Sequence, residues 1–111
     1  MTTLAPYRRF LAAVLAGGIA GADPGAAQEA QRHVIDIRDF AFDPPSLSVA
    51  VGDTVVWTNR DVVPHTVTIA GGGDSGAIEE EQSWEFAVMK SGRLVYGCGF
   101  HPSRAGEIDV R

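Results

Sequence analysis

Short runs rich in Val, Ile, Thr, Trp and Tyr recur from His33 onward, with polar or turn-forming residues between them. The pattern predicts strands over His33–Asp39, Leu47–Val51, Thr54–Asn59, His65–Ala70, Ser83–Met89, Leu94–Cys98 and Ile108–Arg111. Asp43-Pro44-Pro45, Gly52-Asp53, Arg60-Asp61 and Lys90-Ser91-Gly92 are the breaks, and Gly71–Gly76 is expected to be a flexible loop. Side chains alternate across a strand, so Val55, Trp57 and Asn59 share one face while Thr54, Val56 and Thr58 share the other. By the same rule Leu94, Tyr96 and Cys98 point one way, which places Cys98 beside two large core residues at a strand end. No long apolar stripe of helical period occurs. Six or seven short strands with regular turns describe an all-β protein, an antiparallel sandwich or barrel.

The chain begins differently. Arg8 and Arg9 precede the apolar run Phe10–Ala16, which continues to about Ala20, and small residues follow at Ala20-Gly21-Ala22 and Gly25-Ala26-Ala27. Residues 1–27 are therefore expected to be a secretory signal peptide, with residues 28–111 as the single mature domain. The apolar run is too short and too rich in glycine to span a bilayer, which takes roughly 20 apolar residues. The Arg-Arg pair fits a twin-arginine signal poorly.

A domain this small has a limited core, and such domains often depend on a metal or on disulfides. Cys98 is the single cysteine, so no internal disulfide can form. A thiol in an exported protein tends to oxidise unless it has a use, and metal ligation is the leading one. The formal charge of −5, before loss of the basic leader, excludes a nucleic-acid partner and suits a positively charged protein partner.

Cys98-Gly99-Phe100-His101 is a compact chelating unit, because two intervening residues let the loop curl back toward one ion. His65, at the start of a predicted strand, can add a second imidazole. One thiolate and two imidazoles make the trigonal set that copper electron-transfer sites use. Zinc competes, but a structural zinc site wants four ligands, and a carboxylate such as Asp61 would have to complete the set. His33, the third histidine, is expected at the solvated surface. A cysteine nucleophile is the enzymatic alternative; no helix follows Cys98 to activate it, so the chain is not read as an enzyme.

These residues, in this order, resemble the cupredoxins, the plastocyanin, amicyanin and pseudoazurin group in particular. The resemblance runs through Phe40-Ala41-Phe42-Asp43-Pro44, Leu47-Ser48-Val49, Val51–Asn59, Pro64-His65-Thr66-Val67, Tyr96–Pro102 and Gly106-Glu107-Ile108. It implies a Greek-key β-sandwich with one copper ion near one end, held by His65, Cys98 and His101. It also implies a monomeric periplasmic one-electron carrier whose partner is a redox protein, such as a c-type cytochrome or a dehydrogenase or oxidase. Phe100, Pro102 and Pro64 would form an apolar docking surface, and Glu79-Glu80-Glu81 with Glu85 an acidic one.

Two departures stand out. The family places a weak axial methionine after the second histidine; here the corresponding positions are Arg104, in the shorter loop form, or Gly106, in the longer. Met89 precedes the cysteine strand and is expected in the core or at the surface. The second departure is Thr66, where many relatives have asparagine, and its one hydroxyl predicts looser support for the ligands. The missing methionine gives weight to the alternative of a copper carrier or tolerance protein that does not shuttle electrons.

Overall fold

A computed structural model describes residues 29–99 and 101–111, without the side chains of 101–103. The expected signal peptide lies outside the described residues. The described residues form eight strands: β1 (Arg32–Arg38), β2 (Ala41–Asp43), β3 (Ser46–Val49), β4 (Thr54–Asn59), β5 (Thr68–Ile69), β6 (Ser83–Ala87), β7 (Gly92–Cys98) and β8 (His101–Val110). There is no helix among the described residues.

The strands form two four-stranded sheets, β2-β1-β4-β6 and β3-β8-β7-β5. The all-β sandwich expected from the sequence is present. Its sheets are mixed rather than wholly antiparallel, because β1 pairs with β4 and β3 with β8 in parallel. Each parallel partner is reached by a connection that leaves its own sheet. The hairpin strand β2 and then β3 intervene between β1 and β4, and most of the chain intervenes between β3 and β8.

Between the sheets the alternation holds. Ile35 and Ile37 of β1 are buried while Val34 is exposed. On β4, Val55, Trp57 and Asn59 are wholly buried. The opposite face of that strand is also covered at Val56 and Thr58, because β4 is central and flanked by β1 and β6. Tyr96 and Cys98 are buried on β7, and half-buried Leu94 packs on the same core. The Tyr96 ring stands nearly perpendicular to those of Trp57 (5.1 Å) and Phe42 (4.7 Å), the edge-to-face arrangement aromatic rings favour.

Several boundaries differ from expectation. The segment expected as a strand over His65–Ala70 is regular only at Thr68–Ile69; His65 instead forms an isolated bridge with Ile78. Strand β8 is much longer than Ile108–Arg111, because pairing with β7 carries it through residues with no apolar alternation. The Gly71–Gly76 loop is tied down: Ser75 exchanges hydrogen bonds with the backbone of Val67, and Ile69 N–H donates to the Gly73 carbonyl.

Candidate metal centre

The candidate residues lie at one end of the sandwich. His65 follows exposed Pro64 and is fixed by two backbone hydrogen bonds with Ile78, of 2.7 and 3.1 Å. The chain before it is pinned by fully buried Asn59. Its Nδ2 donates to the carbonyls of Val63 (2.8 Å) and Ile78 (2.9 Å), and its Oδ1 accepts from Asp61 N–H (2.8 Å). An asparagine on the core face of β4 thus shapes the histidine loop.

His65 is 2% exposed, and its Nε2 stands 2.8 Å from Oδ2 of Asp61. That carboxylate also accepts the backbone N–H groups of Asp39 and Phe40, at 2.8 and 2.9 Å. Burial works against ionisation of Asp61, but the hydrogen bonds from Phe40, His65 and Asp39 outweigh it and hold the carboxyl below its ordinary range. An ionised carboxylate only accepts, so Nε2 carries the proton and, in the neutral ring, the lone pair lies on Nδ1. Asp61 thus orients His65, a different role from the fourth zinc ligand considered above.

Cys98 ends β7 and is 5% exposed. Thr66, next to His65 in the chain, brings its Oγ1 to 3.8 Å from the Cys98 sulfur and accepts the Gly99 N–H at 2.9 Å. The single hydroxyl therefore links the histidine loop to the cysteine turn, firmer support than the sequence suggested. His101 lies opposite Cys98 in the β7–β8 register, and its side chain is outside the described part. Next to this pair the register slips: Cys98 faces His101 while Gly97 faces Ala105. The described side chains, which exclude that of His101, contain no group of three His, Cys, Asp or Glu placed to hold a metal ion. What they do contain, a buried thiol on a turn tied through Thr66 to the loop of a buried imidazole, is a soft and a borderline donor on linked segments, and this chemistry fits copper.

The positions where a methionine was sought are occupied differently. Arg104 donates from Nη1 to the Phe40 carbonyl, and its guanidinium carbon lies 5.5 Å from the centroid of the Phe40 ring. That ring meets His65 perpendicularly at 5.1 Å. Gly106 is pressed against Tyr96, where a Cβ would stand 2.2 Å from the phenolic oxygen, so no side chain fits. Met89 is exposed, at the far turn before β7.

Phe40, Val62, Val63 and Pro64 leave apolar surface exposed around His65. The acidic run is partly neutralised, since Arg60 pairs with Glu81 and Arg32 with Glu85. His33 is not the solvated residue expected: it is half-buried, with Nε2 2.9 Å from Asp53. Sequence reasoning missed Asn59 and Phe40 as parts of the site. Asn59 was visible as the one amide on an otherwise apolar strand face.

A family model described as a cupredoxin-like domain matches residues 10–110. This chain belongs to the cupredoxin family. Amicyanin of Paracoccus denitrificans is 34% identical over 83 residues, which cover 69% of this chain and 63% of that protein. Plastocyanin of Synechococcus sp. (strain JA-2-3B'a(2-13)) is 35% identical over 72 residues, 60% of this chain and 53% of that protein. The match thus spans less than two thirds of these relatives' length. Among solved structures, the Cu(I) form of an amicyanin with a methionine changed to alanine has a TM-score of 0.68 at 32% identity, covering 71% of this chain and 81% of that one. A reduced amicyanin with a tryptophan changed to tyrosine gives 0.69 at 29% identity, covering 78% and 88%.

Proposed function

We propose that this protein is a small exported one-electron carrier that holds a single copper ion through His65, Cys98 and His101. The observation that carries the proposal is the seating of His65. Asp61 fixes its tautomer with the lone pair on Nδ1, and Thr66 joins its loop to the turn that bears Cys98. Family membership supports copper as the metal.

Copper bound there supplies a one-electron couple whose two states differ little in geometry when the donors are held still. The chain's part is to hold them. Asp61 keeps the His65 ring from turning, and Asn59 keeps the loop that bears it from shifting. Thr66 braces the Cys98–Gly99 turn. Strand β7 is packed through Tyr96 against Trp57 and Phe42, so the cysteine stands on a rigid element. Neither candidate position would offer copper a methionine: Arg104 stands in one, and Gly106, in the other, has no room for a side chain.

The exposed apolar surface of Phe40, Val62, Val63 and Pro64 is where a redox protein would dock, a c-type cytochrome or a dehydrogenase or oxidase. The carrier acts in the periplasm as a monomer, after loss of residues 1–27. No described helix is long and apolar enough to cross a membrane.

The second reading is a copper carrier or tolerance protein. The observation in its favour is Arg104, a fixed cation at a position where a shuttle would have a soft donor.

Copper titration of the chain from Gln28, followed by metal analysis, tests the ligand set. One copper per chain is expected, with loss of tight binding in Cys98→Ser, His65→Ala and His101→Ala. Unchanged binding in all three variants would refute it. Rapid electron self-exchange supports the shuttle, and sluggish exchange the carrier.

A further inference from the structure

The β1–β2 hairpin turns through two residues, Asp39 and Phe40, with φ of 54° and 62°. Such a turn favours Asn-Gly or Asp-Gly, because the second residue meets a steric cost unless it lacks a Cβ. Asp39 suits its position. Phe40 does not, since a bulky side chain in the left-handed region is an outlier. Strain of this kind persists only where its surroundings impose it, and it gathers at functional sites. Filling the core is not the reason here, because Phe40 is 39% exposed.

What Phe40 touches is more informative. Its ring lies 5.1 Å from the His65 ring, with the planes at 90°. Its N–H donates to the carboxylate of Asp61 that holds Nε2 of His65. Its carbonyl accepts from Arg104, whose guanidinium also lies against its ring. One strained residue therefore reaches His65 directly through its ring and indirectly through Asp61, and it also fixes where the Arg104 charge stands.

We propose that Phe40 is a positioning residue for His65, locking the imidazole from two sides. The functional meaning of this lock rests on the reading of His65 as a copper ligand. The lock itself is a property of the metal-free chain and can be tested there.

The variants are Phe40→Gly, which relieves the turn and removes the ring, and Phe40→Tyr, which keeps the ring. In metal-free protein the melting temperature of Phe40→Gly is expected to equal or exceed that of the wild type. Solvent exchange of the His65 Nε2 proton, followed by NMR, is expected to quicken about tenfold as the lock opens. Copper(II) affinity is expected to fall about tenfold, the usual scale for losing a group that orients a ligand. Phe40→Tyr should match the wild type in all three. The proposal is overturned if Phe40→Gly keeps wild-type proton exchange and affinity. It is also overturned if exchange quickens only in step with a loss of global stability. Failure of the wild type to take up copper would instead defeat the electron-carrier reading, while metal-free exchange would still decide the role of Phe40.

Discussion

Asp61 Oδ2 lies 2.8 Å from Nε2 of His65, and in the proposed centre this contact sets which imidazole nitrogen would face the metal. Removing the carboxylate leaves a buried ring N–H without its acceptor. Asp61→Ala is therefore expected to lower the stability of the metal-free protein by about 1–3 kcal/mol. Copper affinity should fall about 10- to 100-fold. Urea denaturation and competitive copper titration measure the two effects. Wild-type affinity in the variant would show that the tautomer is set by another group.

Gly106 and Tyr96 make a second testable pair. A Cβ at Gly106 would lie 2.2 Å from the Tyr96 oxygen, and that oxygen is buried without a hydrogen-bond partner. Burial pushes the Tyr96 phenol up to about 12; the nearby Trp57 indole N–H offsets this slightly but falls short of a geometric hydrogen bond. Gly106→Ala should destabilise by about 1–3 kcal/mol through overpacking. Tyr96→Phe should be close to neutral but should relieve little of the Gly106→Ala loss, because ring carbon Cζ would still stand 2.3 Å from the new Cβ. Wild-type stability of Gly106→Ala in urea would contradict the clash.

Much of this fold was legible in the sequence. The period-2 pattern of Val55, Trp57 and Asn59 and of Leu94, Tyr96 and Cys98 marked the core faces correctly. The hairpin strand Ala41–Asp43 was not legible, because Asp39-Phe40 lacks the glycine that announces such a turn. Most of β8 was hidden for another reason: Arg104, Ala105 and Gly106 carry no strand signal, and pairing with β7 imposes the conformation. His65 and Cys98 were visible by residue type and spacing. The orienting roles of Asp61, Asn59 and Phe40 were not, since those roles arise through contacts across the fold.

Acid stability should depend on Asp53. Backbone N–H groups of Ala50 and Gln31, and then the His33 side chain, hold its carboxyl at about 2, below its ordinary value of 3.8. A depressed folded-state value stabilises above the unfolded value and loses that contribution as pH falls. The advantage of the wild type over Asp53→Asn should therefore be full above about pH 4 and fade toward pH 2. Melting temperatures of both proteins across this range test it. A gap that stays constant down to pH 2 would show that the charge of Asp53 is not the source.

Arg104 should tune the reduction potential upward. Its positive guanidinium disfavours the more positive copper state. Voltammetry of Arg104→Met should give a lower potential than the wild type, since the change removes the charge and offers a thioether. Arg104→Leu, which removes the charge and offers no donor, should fall between them. A methionine variant with the higher potential would contradict this account.

The most direct test is the visible absorption spectrum of the mature chain loaded with Cu(II). The account predicts an intense band at roughly 600 nm, from thiolate-to-copper charge transfer in a trigonal site, that disappears in Cys98→Ser. A sample that stays colourless after oxidation, and in which metal analysis finds no copper, would contradict the proposed centre and leave a sandwich without its metal.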